Sequence, residues 1–166
     1  MRRAIGISVH TGWAACVIVE GSLTEPGIVA NEVIKVLEDS ERFCFHIAAE
    51  MQRAAADKWI TSIRKKAIAN ASQALSSLLA QRVSVCAIVA KEGDSGEFGA
   101  VLASHPRIHT AEGFFYRDVI RAACSIPILI VSPSSLDPSK VGKIAPPPWG
   151  RDQKLAALAA WSAMEK

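Results

Sequence analysis

His105, His109 and Glu112, within SHPRIHTAEG, are the densest group of chemistry-bearing side chains in the sequence. Imidazole titrates near neutral pH, so such a group can ligate a metal or act as a general base. Crevices beyond strand ends are favoured binding sites in open α/β sheets. If this connection folds over the ends of the first and fourth predicted strands, Ser8 and His10 join it. The spacing is not that of a helical metalloprotease pair, because Pro106 intervenes and His109 stands where a helix is predicted to begin. The expected role is therefore structural. His109 and Thr110 arrange the helix start, and Glu112 falls in the first turn, where the helix dipole favours negative charge.

Other groups have weaker chemistry. Gly93, Gly96 and Gly99 form a spaced glycine loop whose amides can cradle an anion if a helix follows. No Lys-Ser/Thr continuation is present and Asp94 and Glu97 would repel phosphate, so a flexible connection is expected. His46 and Glu50 are one helical turn apart and can share a metal or a hydrogen bond; a solvated Glu50 and a packed or capping His46 is the blander reading. Ser132, Ser134 and Ser135 can in principle supply a nucleophile with His10 or His109, but nothing resembles the GxSxG elbow. Arg64-Lys65-Lys66 reads as the solvated side of an amphipathic helix. Cys16, Cys44, Cys86 and Cys124 are widely separated and read as buried free thiols rather than as a zinc set.

The elements that must position these residues follow from periodicity. Arg3 to His10 alternates, with Ile5, Ile7 and Val9 on one face and Gly6, Ser8 and His10 on the other. After a turn at Gly12, strands are predicted over 13–20 and 28–37, separated by a turn containing Pro26. Positions 45–81 carry a helical period through Ile60, Ile63, Ala67, Ala71, Ala74, Leu75 and Leu78, with a break around 54–57. Val83 to Ala90 is a nearly continuous apolar run, as a strand buried on both faces would be. A helix from Thr110 to about Cys124, a strand over 127–131 and a closing helix to Met164 complete the chain. Leu155, Leu158, Ala159 and Ser162 form the stripe of that last helix, and the Pro146–Pro148 run lets Trp149 pin it. Three antiparallel strands followed by two right-handed crossovers predict an α/β fold with a mixed five-stranded sheet, order 3-2-1-4-5, flanked by helices.

That order of elements resembles the ribonuclease H-like superfamily, and the residues resemble Holliday-junction resolvases most. Gly6-Ile7-Ser8 is similar to their first-strand Gly-Ile-Asp. Ala122-Ala123-Cys124-Ser125-Ile126-Pro127, continuing to Ser132-Pro133, is similar to a later helix, strand and loop. Gly142-Lys143 and Asp152-Gln153-Lys154 resemble a further resolvase stretch. The resemblance implies a metal-binding Asp at the position of Ser8 and a second acid near Glu92, with Asp152 standing in for acids of a terminal helix. Two-metal phosphodiester hydrolysis needs several carboxylates to hold cations about 4 Å apart, and a neutral serine cannot do this alone. Ser8, Glu92 and Asp152 leave two carboxylates. Thr11-Gly12 also resembles the first phosphate loop of actin-like kinases, but those need two copies of the domain and this chain is long enough for one.

Composition agrees with a single domain over 1–166. At 166 residues such a domain buries roughly 70% of its unfolded surface. No apolar run approaches the roughly 20 residues that cross a bilayer, so a cytoplasmic protein without membrane association is expected. A formal charge of +3 permits nucleic-acid binding without requiring it. The expected function is binding to nucleic acid or a protein partner, or self-association, without standard two-metal nuclease activity. The alternative is a hydrolase or atypical nuclease built from His10, His105, His109 and Glu112, the only reading under which a divalent cation is expected. Candidate catalytic residues are Ser8, His10, Glu92, His109 and Asp152; candidate binding residues are Thr11, His105 and Glu112. No metal-ligand set is assigned.

Overall fold

Gly6 decides how tightly the middle of the sheet is covered. It lies in β1 (Arg2–His10), and a Cβ there would land on the Ala156 carbonyl of the helix packed above it. β1 pairs antiparallel with β2 (Trp13–Gly21), which pairs antiparallel with β3 (Pro26–Lys35). On its other side β1 runs parallel to β4 (Val85–Val89), and β4 parallel to β5 (Ile128–Val131). The computed structural model describes residues 2–143 and 149–165, and its sheet has the order β3-β2-β1-β4-β5, as expected.

Each face of the sheet has its own core. Ile5, Ile7, Cys16, Ile18, Cys86 and Ile88 point to one side, toward α1 (Cys44–Ala49), α2 (Arg53–Leu79) and α4 (His105–Ala123). Ala4, Val17, Val19, Val85, Ala87 and Val89 point to the other, against α5 (Arg151–Ala163). Each fully buried Ile or Val contributes about 1.5–3 kcal/mol. α5 buries Ala156, Ala157, Leu158, Ala159, Ala160 and Ala163, a broader and smaller-residue face than the predicted stripe; Leu155 and Ser162 are only half-buried. These alanines let the helix backbone approach Gly6. Trp149 is half-buried against this second core, while the Pro146–Pro148 run lies outside the described residues.

Three helical features differ from the periodicity. The long helix breaks at Glu50–Gln52, earlier than 54–57, with Gln52 extended at φ −62° and ψ 148°. The bend lets α1 turn Phe45 onto Phe98 and Phe115 while Ile63, Ala67, Ala71, Leu75 and Leu78 of α2 lie on the sheet. A short helix, α3 (Phe98–Leu102), forms in the glycine-rich connection. Most consequentially, α4 begins at His105 rather than Thr110. Pro106 occupies the second helical position, where an N–H has no intrahelical partner anyway and the fixed φ suits a helix. Glu112 therefore lies in the body of α4, and Thr110 donates its hydroxyl to the Pro106 carbonyl at 3.2 Å.

Candidate functional site

Two polar clusters sit toward the C-terminal ends of β1 and β4, on opposite faces of the sheet. The first is built on β1 itself. Alternation points Ser8 and His10 toward α5, whose first turn supplies Asp152. Ser8 is buried, and its hydroxyl donates to Asp152 Oδ1 at 3.1 Å. His10 Nε2 lies 2.6 Å from the same oxygen, and the imidazole stacks on Trp13 with ring centroids 4.4 Å apart and 8° between planes. Thr11 occupies the following turn, beside Gly12, whose φ of +88° suits glycine.

A serine, a histidine and an aspartate meet here in the wrong order for nucleophilic catalysis. A serine nucleophile is activated when imidazole stands between hydroxyl and carboxylate. In this protein the carboxylate stands in the middle and Ser8 donates directly to it. The donor set also does not fit the cation pair implied by the resemblance. Asp152 brings one carboxylate, already committed to Ser8 and His10, and among the described residues no group of three His, Cys, Asp or Glu side chains converges at this point. Glu92 is exposed and has no hydrogen bond or ion pair among the described residues. Its loop is anchored to the opposite face, because buried Arg117 of α4 donates to the Lys91 and Gly93 carbonyls at 2.8 and 3.1 Å.

The second cluster joins α1 to the first two turns of α4. His105 and His109 are one helical turn apart, with their Nε2 atoms separated by 3.0 Å. His46 of α1 completes the group, its ring centroid 5.2 Å from that of His105 and 4.7 Å from that of His109. One ring nitrogen from each of the three can be chosen so that all lie within 4.8 Å of one another. Beneath them Glu112, buried at 1% exposure, places Oε1 2.9 Å from His46 Nδ1 and accepts from the His46 backbone N–H at 3.3 Å. Of the four residues that the alternative reading brings together, His105, His109 and Glu112 are linked through His46, whereas His10 belongs to the Asp152 cluster.

His46 is the participant that the sequence left out of the site, and the solvated Glu50 expected beside it is observed. Glu50, one turn away, ends α1 and is exposed, while the carboxylate that engages His46 comes from 66 residues downstream. The signal lies in the His105/His109 spacing, because Pro106 within the first turn is compatible with a helix that sets the two one turn apart.

The remaining candidates resolve as structure. Glu97 caps α3, accepting from the Gly99 and Ala100 amides at 2.8 and 2.7 Å. Those two bonds hold its carboxyl below the usual range and occupy the amides an anion would use. Ser132 and Ser134 hydrogen-bond to each other at 2.8 Å, and Ser135 donates to the Ser132 carbonyl at 2.7 Å. Cys16, Cys44 and Cys86 are buried and free, and Cys124 is half-buried. Arg64 and Lys65 are exposed, and Lys66 holds both carboxylate oxygens of Glu41 at 2.7 Å. No described helix is long and apolar enough to cross a membrane.

No protein-family model matches the sequence, and no curated protein matches it. Solved structures do resemble the fold. Thermus thermophilus RuvC in complex with Holliday junction substrate aligns with a TM-score of 0.60 at 12% identity, covering 99% of this chain and 94% of that one. A second Thermus thermophilus RuvC structure aligns with a TM-score of 0.52 at 12% identity, covering 98% and 93%. The chain therefore has the ribonuclease H-like fold of Holliday-junction resolvases across nearly its whole length.

Proposed function

We propose that this chain, folded like a Holliday-junction resolvase, binds nucleic acid without running two-metal hydrolysis. The observation that carries the reading is the Ser8–Asp152 hydrogen bond: the middle strand presents a hydroxyl, and the Asp152 carboxylate that reaches it is held by Ser8 and His10. Binding has support from the surface around these strand ends. Lys91 follows β4, Arg107 lies in the first turn of α4, and Arg151 and Lys154 lie in the first turns of α5; all four are exposed, and among the described residues none has an ion pair. Exposed cations of this kind neutralise phosphates and release counterions, which makes binding steeply salt-dependent. Thr11 and His10 lie at the same end of β1, and in this reading they touch a bound strand.

The test is fluorescence anisotropy with labelled four-way junction, duplex and hybrid substrates, followed by incubation with Mg²⁺ or Mn²⁺. Binding that weakens with salt and with Arg151→Glu and Lys154→Glu, without cleavage, is expected. Metal-dependent cleavage abolished by Glu92→Gln would overturn the absence of hydrolysis. Failure to bind any of the three substrates would overturn the nucleic-acid reading in favour of a protein partner or self-association.

A further inference from the structure

The geometry points to a transition-metal site formed by His46, His105 and His109, taking a divalent cation of the zinc class, with buried Glu112 orienting His46. This goes beyond the nucleic-acid reading and does not depend on it, since it rests on three imidazoles and a buried carboxylate and on none of the exposed cations.

Three observations combine. His105 and His109 are presented from consecutive turns of one helix with their Nε2 atoms 3.0 Å apart. Two imidazole nitrogens on a tetrahedral zinc ion, each 2.0–2.1 Å from the metal, stand about 3.3 Å apart, so this pair is already close to ligating distance. The three rings meet edge to face, at 77°, 66° and 86°, so their nitrogens share a small space instead of stacking away from it. The widest nitrogen spacing, within 4.8 Å, closes through small rotations of His105 and His109, both exposed.

Glu112 supplies the second half of such a site. With its carboxylate on Nδ1, His46 donates N–H there and leaves the Nε2 lone pair for a cation. Metal-ligating histidines characteristically give their other N–H to a carboxylate or carbonyl, which fixes tautomer and ring orientation. Burying an ionised carboxylate costs several kcal/mol unless positive charge is nearby, and a cation on His46 provides it. The backbone around His46 is held in place as well: Tyr116 donates to the Arg42 carbonyl at 2.6 Å and Trp59 to the Cys44 carbonyl at 3.0 Å.

Ligand chemistry selects the metal. Three neutral imidazoles suit zinc, nickel, copper or iron and offer little to Mg²⁺, which prefers oxygen donors. An open cleft of about 330 Å³ bordered by Phe43, His46 and His109 faces the cluster, so a fourth coordination position is accessible to water or to a donor atom of another molecule.

The experiment is titration of the full chain with Zn²⁺ against a chromophoric chelator, with Mg²⁺ for comparison and Co²⁺ to read coordination from its visible absorption. One equivalent of Zn²⁺ binds saturably, Mg²⁺ does not compete, and Co²⁺ gives an intense tetrahedral spectrum. His105→Ala and His109→Ala remove exposed side chains, so folding is retained, and each weakens Zn²⁺ binding by roughly 100-fold or more. Glu112→Gln weakens it by about 10–100-fold with unchanged stoichiometry, the range seen when a ligand's supporting partner is lost. His10→Ala, which alters the fourth histidine, leaves it as in the parent. Absence of saturable Zn²⁺ binding, or equal affinity in the parent, His105→Ala and His109→Ala, overturns the site.

Discussion

Ser8 Oγ lies 3.1 Å from Asp152 Oδ1, 144 residues away in the chain, at the end of the middle strand of the sheet. The contact makes a neutral hydroxyl the partner of a carboxylate at the position where the resemblance to resolvases implies an Asp. Ser8→Asp would set two carboxylates side by side in a buried position and should lower stability at neutral pH by roughly 2–4 kcal/mol. Burial and the facing charge raise the folded pKa of the new carboxyl above its unfolded value. The loss is therefore present at neutral pH and recovers as pH falls through that folded pKa. Thermal melts at pH about 7 and about 5 check this. Mg²⁺ or Mn²⁺ should raise the melting temperature of the variant and not of the parent.

Gly6 is required by the closeness of α5. A methyl group there meets the Ala156 carbonyl, a backbone obstacle that cannot rotate aside. Gly6→Ala should cost at least the about 1–3 kcal/mol typical of overpacking, read as a lower urea midpoint with an unchanged slope.

Tyr116 is fully buried, and its hydroxyl donates to the Arg42 carbonyl at 2.6 Å, tying α4 to the segment that leads into α1. Burial pushes its pKa up, so it remains a neutral donor across the physiological range. Tyr116→Phe should destabilise by about 1–2 kcal/mol, and hydrogen exchange should increase first at the amides of α1.

The cysteines should differ sharply in reactivity. Burial pushes the Cys16 and Cys44 thiols up to about 12, aided by the nearby Glu32 and Glu112 carboxylates respectively. Cys124 is half-buried, and a hydrogen bond from Cys86 stabilises its thiolate and lowers its pKa, while the Cys86 thiol is raised. Because the thiolate is the nucleophile, alkylation of the native protein by iodoacetamide should fall on Cys124. Its rate should rise with pH through a midpoint below the about 8.5 of a free thiol. Peptide mass mapping identifies the site, and Cys86→Ala, which removes the donor, should move the midpoint upward.

Much of the architecture can be read from local pattern. Alternation in 3–10, the unbroken apolar run at 83–90 and the helical stripe through Ile63, Ala67, Ala71 and Leu75 depend on which face a residue presents. Strand order follows because consecutive antiparallel strands and right-handed crossovers leave few alternatives. Boundaries were less legible. Pro106 looks like a barrier to a helix but is harmless within the first turn, and this conceals His105 and His109 as neighbours on one helical face.

What the sequence by itself determined, then, is the sheet, its two apolar faces and the absence of an acid at Ser8. Periodicity encodes those features within a few residues of one another. Only the tertiary structure decided which polar groups meet: Asp152 with Ser8 and His10 on one face, and Glu112 with His46 beside His105 and His109 on the other. The physical reason is range. A buried carboxylate must find a hydrogen-bond partner wherever packing brings one near, and packing joins positions 66 and 144 residues apart that no local spacing can pair.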